Sequence, residues 1–172
     1  NSISIGYGEE KNDVFQNIEM IKALNIKTKD FVPRLKIPKD IEEKSTSFLH
    51  AAEGKTKICI HIGAGTPIKK WPAEHFAELT NLIARRHGYS IVLVGGKSEE
   101  RELGDYLKHV KVPIINLLGK LTVIETAAVI KKCDLLVSND SGPMHIGSAV
   151  GTKVVALYGP STNFTRTQPI GK

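Results

Sequence analysis

The sequence holds no apolar run approaching the roughly 18 residues that cross a bilayer, and no charged-then-apolar leader. Nothing in it is expected to span or cross a membrane by itself. Aromatic residues are scarce at 6%, and no basic run is interleaved with them, which argues against a stacking platform for nucleic acid. There are only two cysteines, Cys59 and Cys133, each in or beside an apolar strand-like run. Neither belongs to a CxxC pair, which argues against zinc and against a disulfide framework; buried free thiols fit a reducing compartment such as the cytoplasm. No cofactor and no metal is expected. Internal repeats and low-complexity segments are also missing.

What is there is one domain's worth of chain, 172 residues, with 24 Lys and Arg against 18 Asp and Glu. The basic excess is uneven. Residues 1–57 carry 10 basic and 9 acidic side chains, whereas residues 58–172 carry 14 and 9. An anionic ligand or surface therefore suits the second part, although surplus lysines alone are more often a solvated face. The chain opens on Asn-Ser rather than Met and stops at PIGK, soon after a strand and a turn, so it reads as a piece of something longer.

From Ile58 onward short apolar runs alternate with helical patterns. KICIHI (57–62), SIVLVGG (90–96), PIINLLG (113–119), CDLLVS (133–138) and KVVALYG (153–159) predict five strands. Helices are predicted between them over 72–88, which opens with Pro and closes with Gly, over 98–110, over 122–132 with Thr122 as cap, and from Pro143. Apolar strands each followed by a helix predict an α/β fold, a Rossmann-like doubly wound parallel sheet covered on both faces. Residues 1–57 differ. Val14, Ile18, Ile21 and Leu24 fall at helical spacing within 13–26, TKDFVPRLKIPKD (28–40) reads as an extended connection, and 41–52 as a weaker helix. This stretch is expected to be a helical lead-in and linker packing on a domain of residues 58–172.

In such a sheet every strand-to-helix turn lies on one edge, where ligands bind. Those turns are GAGTPIKKW (63–71), GGKSEE (95–100), GKL (119–121), NDSGPMH (139–145) and GPST (159–162), whereas the opposite turns are plain. Their chemistry favours phosphate. Ser141 and Gly142 begin a helix whose first N–H groups lack partners, and Lys69, Lys70 and His145 supply positive charge or donors. Asp140 would repel phosphate, so it suits capping N–H groups or accepting from a sugar hydroxyl; Glu99 suits a ribose or sugar diol. Taken singly, each has a plainer reading. Asp140 and Ser141 are as readily a helix cap, the lysines a solvated loop, His145 a packed histidine, Glu99 a favourable first-turn acid, and Trp71 a packing anchor. His61, inside a strand, reads as structural. Known nucleotide motifs fail: GKS at 96–98 has Ile91 where a P-loop needs glycine, and GAGTPI has Ile68 at the third glycine position of a dinucleotide fingerprint.

IGAGTPIKKWPAEHFAEL, IVLVGGKSEE and NLLGKLTVIETAAVIKKCDLLVSNDSGPMHIGSAVGTKVVALYGPS, in this order from about Ile58 to Ser161, resemble the C-terminal half of the family 9 glycosyltransferases, the bacterial heptosyltransferases of lipopolysaccharide synthesis. The helix NDVFQNIEMIKALNI resembles, more weakly, the one preceding their donor domain. The resemblance implies one half of a GT-B fold, an ADP-sugar donor, and transfer of heptose or a related sugar to a lipid-linked saccharide at the inner face of the cytoplasmic membrane. By position, Lys69 resembles the lysine on the donor diphosphate, and Glu99 the acid on the ribose, with Glu100 beside it. Leu121 resembles the residue packing on adenine. Asp140, Ser141 and Gly142 resemble the loop at sugar and phosphates, and His145 a neighbouring phosphate ligand. Where some members carry paired hydroxyls, this chain has Ala64 and Gly65, leaving Thr66 as the nearby hydroxyl. The family's general base, an aspartate, lies in an N-terminal acceptor domain, so these residues alone are expected to bind donor without turning it over. The alternatives are another GT-B nucleotide-sugar enzyme, such as an epimerase, or a nonenzymatic nucleotide-sugar-binding module.

Overall fold

Five parallel strands carry the molecule, and the computed structural model describes residues 11–160 and 162–171 around them. They are β1 (Thr56–His61), β2 (Tyr89–Val94), β3 (Ile115–Asn116), β4 (Leu135–Asn139) and β5 (Lys153–Leu157), in the spatial order β3-β2-β1-β4-β5. The helices are α1 (Asp13–Ala23), α2 (Lys39–Phe48), α3 (Ala73–Ala84), α4 (Glu100–His109), α5 (Val123–Lys131), α6 (Gly142–Ala149) and α7 (Phe164–Thr167). The order 3-2-1-4-5 is that of a doubly wound sheet, as the apolar runs predict. Among the described residues, no helix is long and apolar enough to cross a membrane.

Successive side chains on a strand point to opposite faces, so a strand buried on both sides feeds two cores. Ile58 and Ile60 of β1 and Ile91 and Leu93 of β2 pack on one face with Phe76, Ala77 and Tyr106 from α3 and α4. Cys59, Val92, Val94 and Leu136 pack on the other with Val129 and Ile130 of α5. Both cysteines are buried and unbridged, and burial pushes the Cys59 thiol well up. Between α3 and α4, the buried Thr80 Oγ1 and Tyr106 hydroxyl lie 2.7 Å apart; burial raises that phenol to about 12.

Several boundaries differ from the sequence reading. The third strand shrinks from 113–119 to two residues, because Pro113 offers no amide and Asn116 Oδ1 accepts from Leu118 N at 3.1 Å, starting a turn. The chain still tracks β2, with Leu117 N donating to Leu93 O and Gly119 N to Gly95 O, each at 2.9 Å. The helix expected over 72–88 ends at Ala84, and the one over 98–110 is entered through a 3-10 turn at Lys97–Glu99. Thr122 caps α5 as expected: its Oγ1 accepts from Glu125 N at 3.3 Å while Glu125 Oε2 accepts from Thr122 N at 2.9 Å.

The lead-in helices are tied down by polar contacts as well as by packing. Lys44 and Glu42 of α2 pair with Glu125 and Lys131 of α5 at 2.6 and 2.8 Å. Asn12, the cap of α1, donates to Gln168 O at 2.9 Å, and Asp13 pairs with Arg166 at 3.1 Å. The joint on which the carboxyl edge of the sheet depends is Asn139, the fully buried last residue of β4. Its Nδ2 donates to Ile62 O and Gly63 O at 3.0 and 3.1 Å, and its Oδ1 accepts from Trp71 N at 3.0 Å. One side chain thus fastens both ends of the loop after β1.

Asn139→Ala strands two carbonyls and an amide, so it should cost about 2–4 kcal/mol in chemical denaturation; a loss under about half a kcal/mol would show that the loop holds itself. At the lead-in, the Lys44 ammonium and the Thr122 groups hold the Glu125 carboxyl down at about 2. Its unfolded counterpart titrates near about 4.3, so this stabilisation is complete above that range and fades as pH falls towards about 2. Glu125→Gln should therefore melt below the parent at about pH 7, and the gap should close between about pH 4.3 and 2.

Candidate functional site

A cleft of about 610 Å3 opens at the carboxyl edge of the sheet, where the turns after β1, β2 and β4 meet the start of α5. It sits where the connections leaving β1 and β4 turn to opposite faces, the point at which open α/β sheets leave a crevice. Its walls include His61, Gly95, Glu99, Leu121, Ser141 and Gly142.

Glu99 enters from the turn after β2. One carboxylate oxygen accepts from the Gly96 amide, and the other lies 3.7 Å from His61 Nε2. There is room for it only because two neighbours lack side chains. A Cβ on Gly63 would sit 2.5 Å from Glu99 Oε1, and one on Gly95 2.8 Å from Oε2. The His61 ring holds the Glu99 carboxyl below the usual carboxylate range, against the opposite pull of burial. An ionised acid with lone pairs left over can accept from a diol.

The turn after β4 offers the opposite character. Ser141 occupies the cap position of α6, but its hydroxyl donates to Asn139 O at 3.0 Å instead of capping the helix. The first turn of α6 therefore has no side-chain cap, and Pro143 sits within it. Uncapped amides and the helix dipole favour an anion there. A Cβ on Gly142 would meet nothing within 4 Å, so the backbone is open to close approach.

The cations lie beside this wall and are each matched. Lys69 Nζ stands 2.7 Å from Asp140 Oδ2, with side chains 33% and 4% exposed. That ion pair is the contact made by the buried Oδ2. Lys70 pairs with Glu102 and holds its carboxyl below the usual range. Next to Lys69 is a smaller hollow of about 380 Å3 walled by Trp71 and Tyr158. Burial, and then the Asp140 charge, raise the Tyr158 phenol.

Of the residues that stand out in the sequence, the structure brings Glu99, Leu121, Ser141 and Gly142 to the main cleft. Lys69 and Asp140 form their ion pair just outside its lining, while Thr66 and His145 are exposed on the loop after β1 and on α6. Asp140 does not cap α6; it faces Lys69. Lys70 does line the cleft. Sequence reasoning missed Val123, an apolar side chain 72% exposed on the cleft wall next to Leu121, and it missed the linking part played by His61 and Asn139. An apolar residue at the first helical position of α5 was the available signal for Val123. Among the described residues, no three His, Cys, Asp or Glu side chains group as metal ligands would.

The chain matches glycosyltransferase family 9 (heptosyltransferase) over residues 9–172. A lipooligosaccharide heptosyltransferase 2 from Campylobacter jejuni is 30% identical over 172 residues, which cover 95% of this chain and 53% of that protein. The lipopolysaccharide heptosyltransferase 2 of Escherichia coli is 34% identical over 100 residues, 56% of this chain and 28% of that one. The chain thus spans about half the length, or less, of these curated relatives. Among solved structures, a family 9 glycosyl transferase from Veillonella parvula superposes with a TM-score of 0.81 at 29% identity, covering 90% of this chain and 45% of that one. An E. coli ADP-heptose lps heptosyltransferase II gives 0.73 at 27% identity, covering 84% and 45%. With the family matched from end to end of the described residues and the same sheet found in solved members, the chain belongs to glycosyltransferase family 9, the heptosyltransferases.

Proposed function

We propose that this chain is the donor-binding half of a heptosyltransferase, and that the cleft between the turns after β1, β2 and β4 holds the nucleotide of an ADP-sugar. The observation that carries the reading is the pairing, across one cleft, of an uncapped helix N-terminus with an ionised carboxylate. The first suits a diphosphate and the second a ribose diol. Leu121 and the exposed Val123 supply an apolar wall on which a base can pack.

In this reading Lys69 leaves Asp140 for the diphosphate, a shift of partner its partly exposed side chain allows, and Asp140 is freed to accept from the sugar. Thr66 and His145 flank the same wall from the loop after β1 and from α6. As the bond from sugar to diphosphate breaks, negative charge grows on the leaving group. The α6 amides and the cations beside them stabilise it. Proton removal from the acceptor hydroxyl is assigned to the part of the relatives' length that this chain does not span. The donor sugar proposed is heptose, by analogy with the E. coli ADP-heptose enzyme, and the acceptor a lipopolysaccharide-type saccharide at the cytoplasmic face of the membrane.

Thermal unfolding with ADP, UDP and GDP in parallel tests this. A ligand at about a hundredfold its Kd adds about 2.7 kcal/mol, which should raise the midpoint of a chain this size by roughly 5–10 °C. ADP should give that shift and Lys69→Ala should lose most of it. A shift with UDP or GDP in place of ADP would overturn the choice of base, and no shift with any would overturn the donor reading.

A further inference from the structure

His61 ends β1, is 3% exposed, and stands where the turns after β2 and β4 converge. Its register partners on either side are Val94 and Ser138, the strand residues that lead into those two turns. On one side, Nδ1 lies 3.3 Å from Ser138 Oγ and 3.2 Å from Ser141 Oγ. On the other, Nε2 faces Glu99 Oε1 at 3.7 Å.

Hydrogen accounting narrows the state of the ring. The two hydroxyls also reach the Asn139 carbonyl, at 2.9 and 3.0 Å, and each other at 3.1 Å. If both protons go to that carbonyl, Nδ1 must carry a hydrogen and donate to a hydroxyl oxygen. If one goes to Nδ1, the ring is the Nε2–H tautomer. A bare lone pair on Nε2 would face the Glu99 carboxylate, so the Nε2–H tautomer is the arrangement that suits both neighbours.

We propose that His61 is a positioning residue for the nucleotide, whose two ring nitrogens hold the Glu99 carboxylate and the Ser141 hydroxyl in one register across the cleft. The inference rests on the donor reading. Its consequence is double. With Ser141 held among His61, Ser138 and the Asn139 carbonyl, its hydroxyl stays off the α6 amides and leaves them for the phosphates. With one Glu99 oxygen against Gly96 N and the other against the ring, the carboxylate is kept from turning out of the space that Gly63 and Gly95 leave for it. Removing the ring nitrogens should let the serine cap α6 and the carboxylate turn, loosening both ends of the bound nucleotide at once.

The test uses the 172-residue chain, ADP titration calorimetry, and long-range 1H–15N correlation on the histidine ring. The wild-type ring should show a protonated Nε2. His61→Phe, which keeps the ring volume and removes both nitrogens, should weaken ADP about tenfold or more. His61→Gln, which returns a donor towards Glu99, should recover most of that loss. Combined with Glu99→Gln, the His61→Phe penalty on ADP should be smaller than the sum of the two single penalties. A His61→Phe chain that melts lower but binds ADP as tightly as wild type would reduce His61 to a packing residue and overturn the inference. A bare Nε2 in the wild-type spectrum would overturn it independently of any variant that fails to fold. Wild-type protein with a protonated Nε2 and no ADP binding would instead fail the donor reading, and the ligand role of His61 with it; the ring signal tells that failure from the others.

Discussion

Between β1 and β4 the chain commits to opposite faces of the sheet, and the crevice this leaves cannot be filled by either apolar core. It has to be held by buried polar groups, each of which must find a partner or cost free energy. Asn139 meets that demand for the backbone, fastening the loop after β1 at Ile62, Gly63 and Trp71. His61, Ser138 and Ser141 meet it for the side chains. The open cleft, the uncapped α6 and the placement of Glu99 all depend on this polar seam staying intact.

Charge balance around the seam has a common pattern. Lys69 sits against Asp140, Lys70 against Glu102, and the Glu99 carboxylate against the His61 ring. Lys69 and Lys70 are each held near the cleft by an acid of their own, so the site does not depend on free lysines waving in solvent. An anionic ligand arriving at α6 would then exchange partners with Lys69 rather than bind to an unmatched charge. The half-buried lysine loses less hydration in that exchange than a fully solvated one.

Much of this architecture is legible in the sequence because it is periodic or local. The apolar runs from KICIHI to KVVALYG mark the strands, and collecting the glycines, lysines and acids that come after them picks out the edge of the sheet at which the cleft opens. Thr122 and Glu125 announce the start of α5 by their spacing alone. What escapes is long-range. Asn139 meets Gly63 across 76 residues and His61 meets Ser141 across 80, so no local pattern signals that they touch. The strand expected over 113–119 shortens because Pro113 and the Asn116 side chain divert the backbone of an edge strand, a competition that apolar periodicity does not register. Lys69 and His145 stand out by type and position, but their side chains sit outside the main cleft lining, since rotamers and ion pairs decide that and not spacing.

The central claim is that nucleotide binds at the carboxyl edge of the sheet, in the crevice between β1 and β4. Backbone amide chemical-shift mapping of the 15N-labelled chain titrated with ADP tests it most directly. The account predicts that the perturbed amides cluster in the turns 63–66, 95–99, 119–123 and 139–143. Perturbations confined to the opposite edge, around 85–88, 110–113 and 150–153, or spread evenly over the surface, would contradict it.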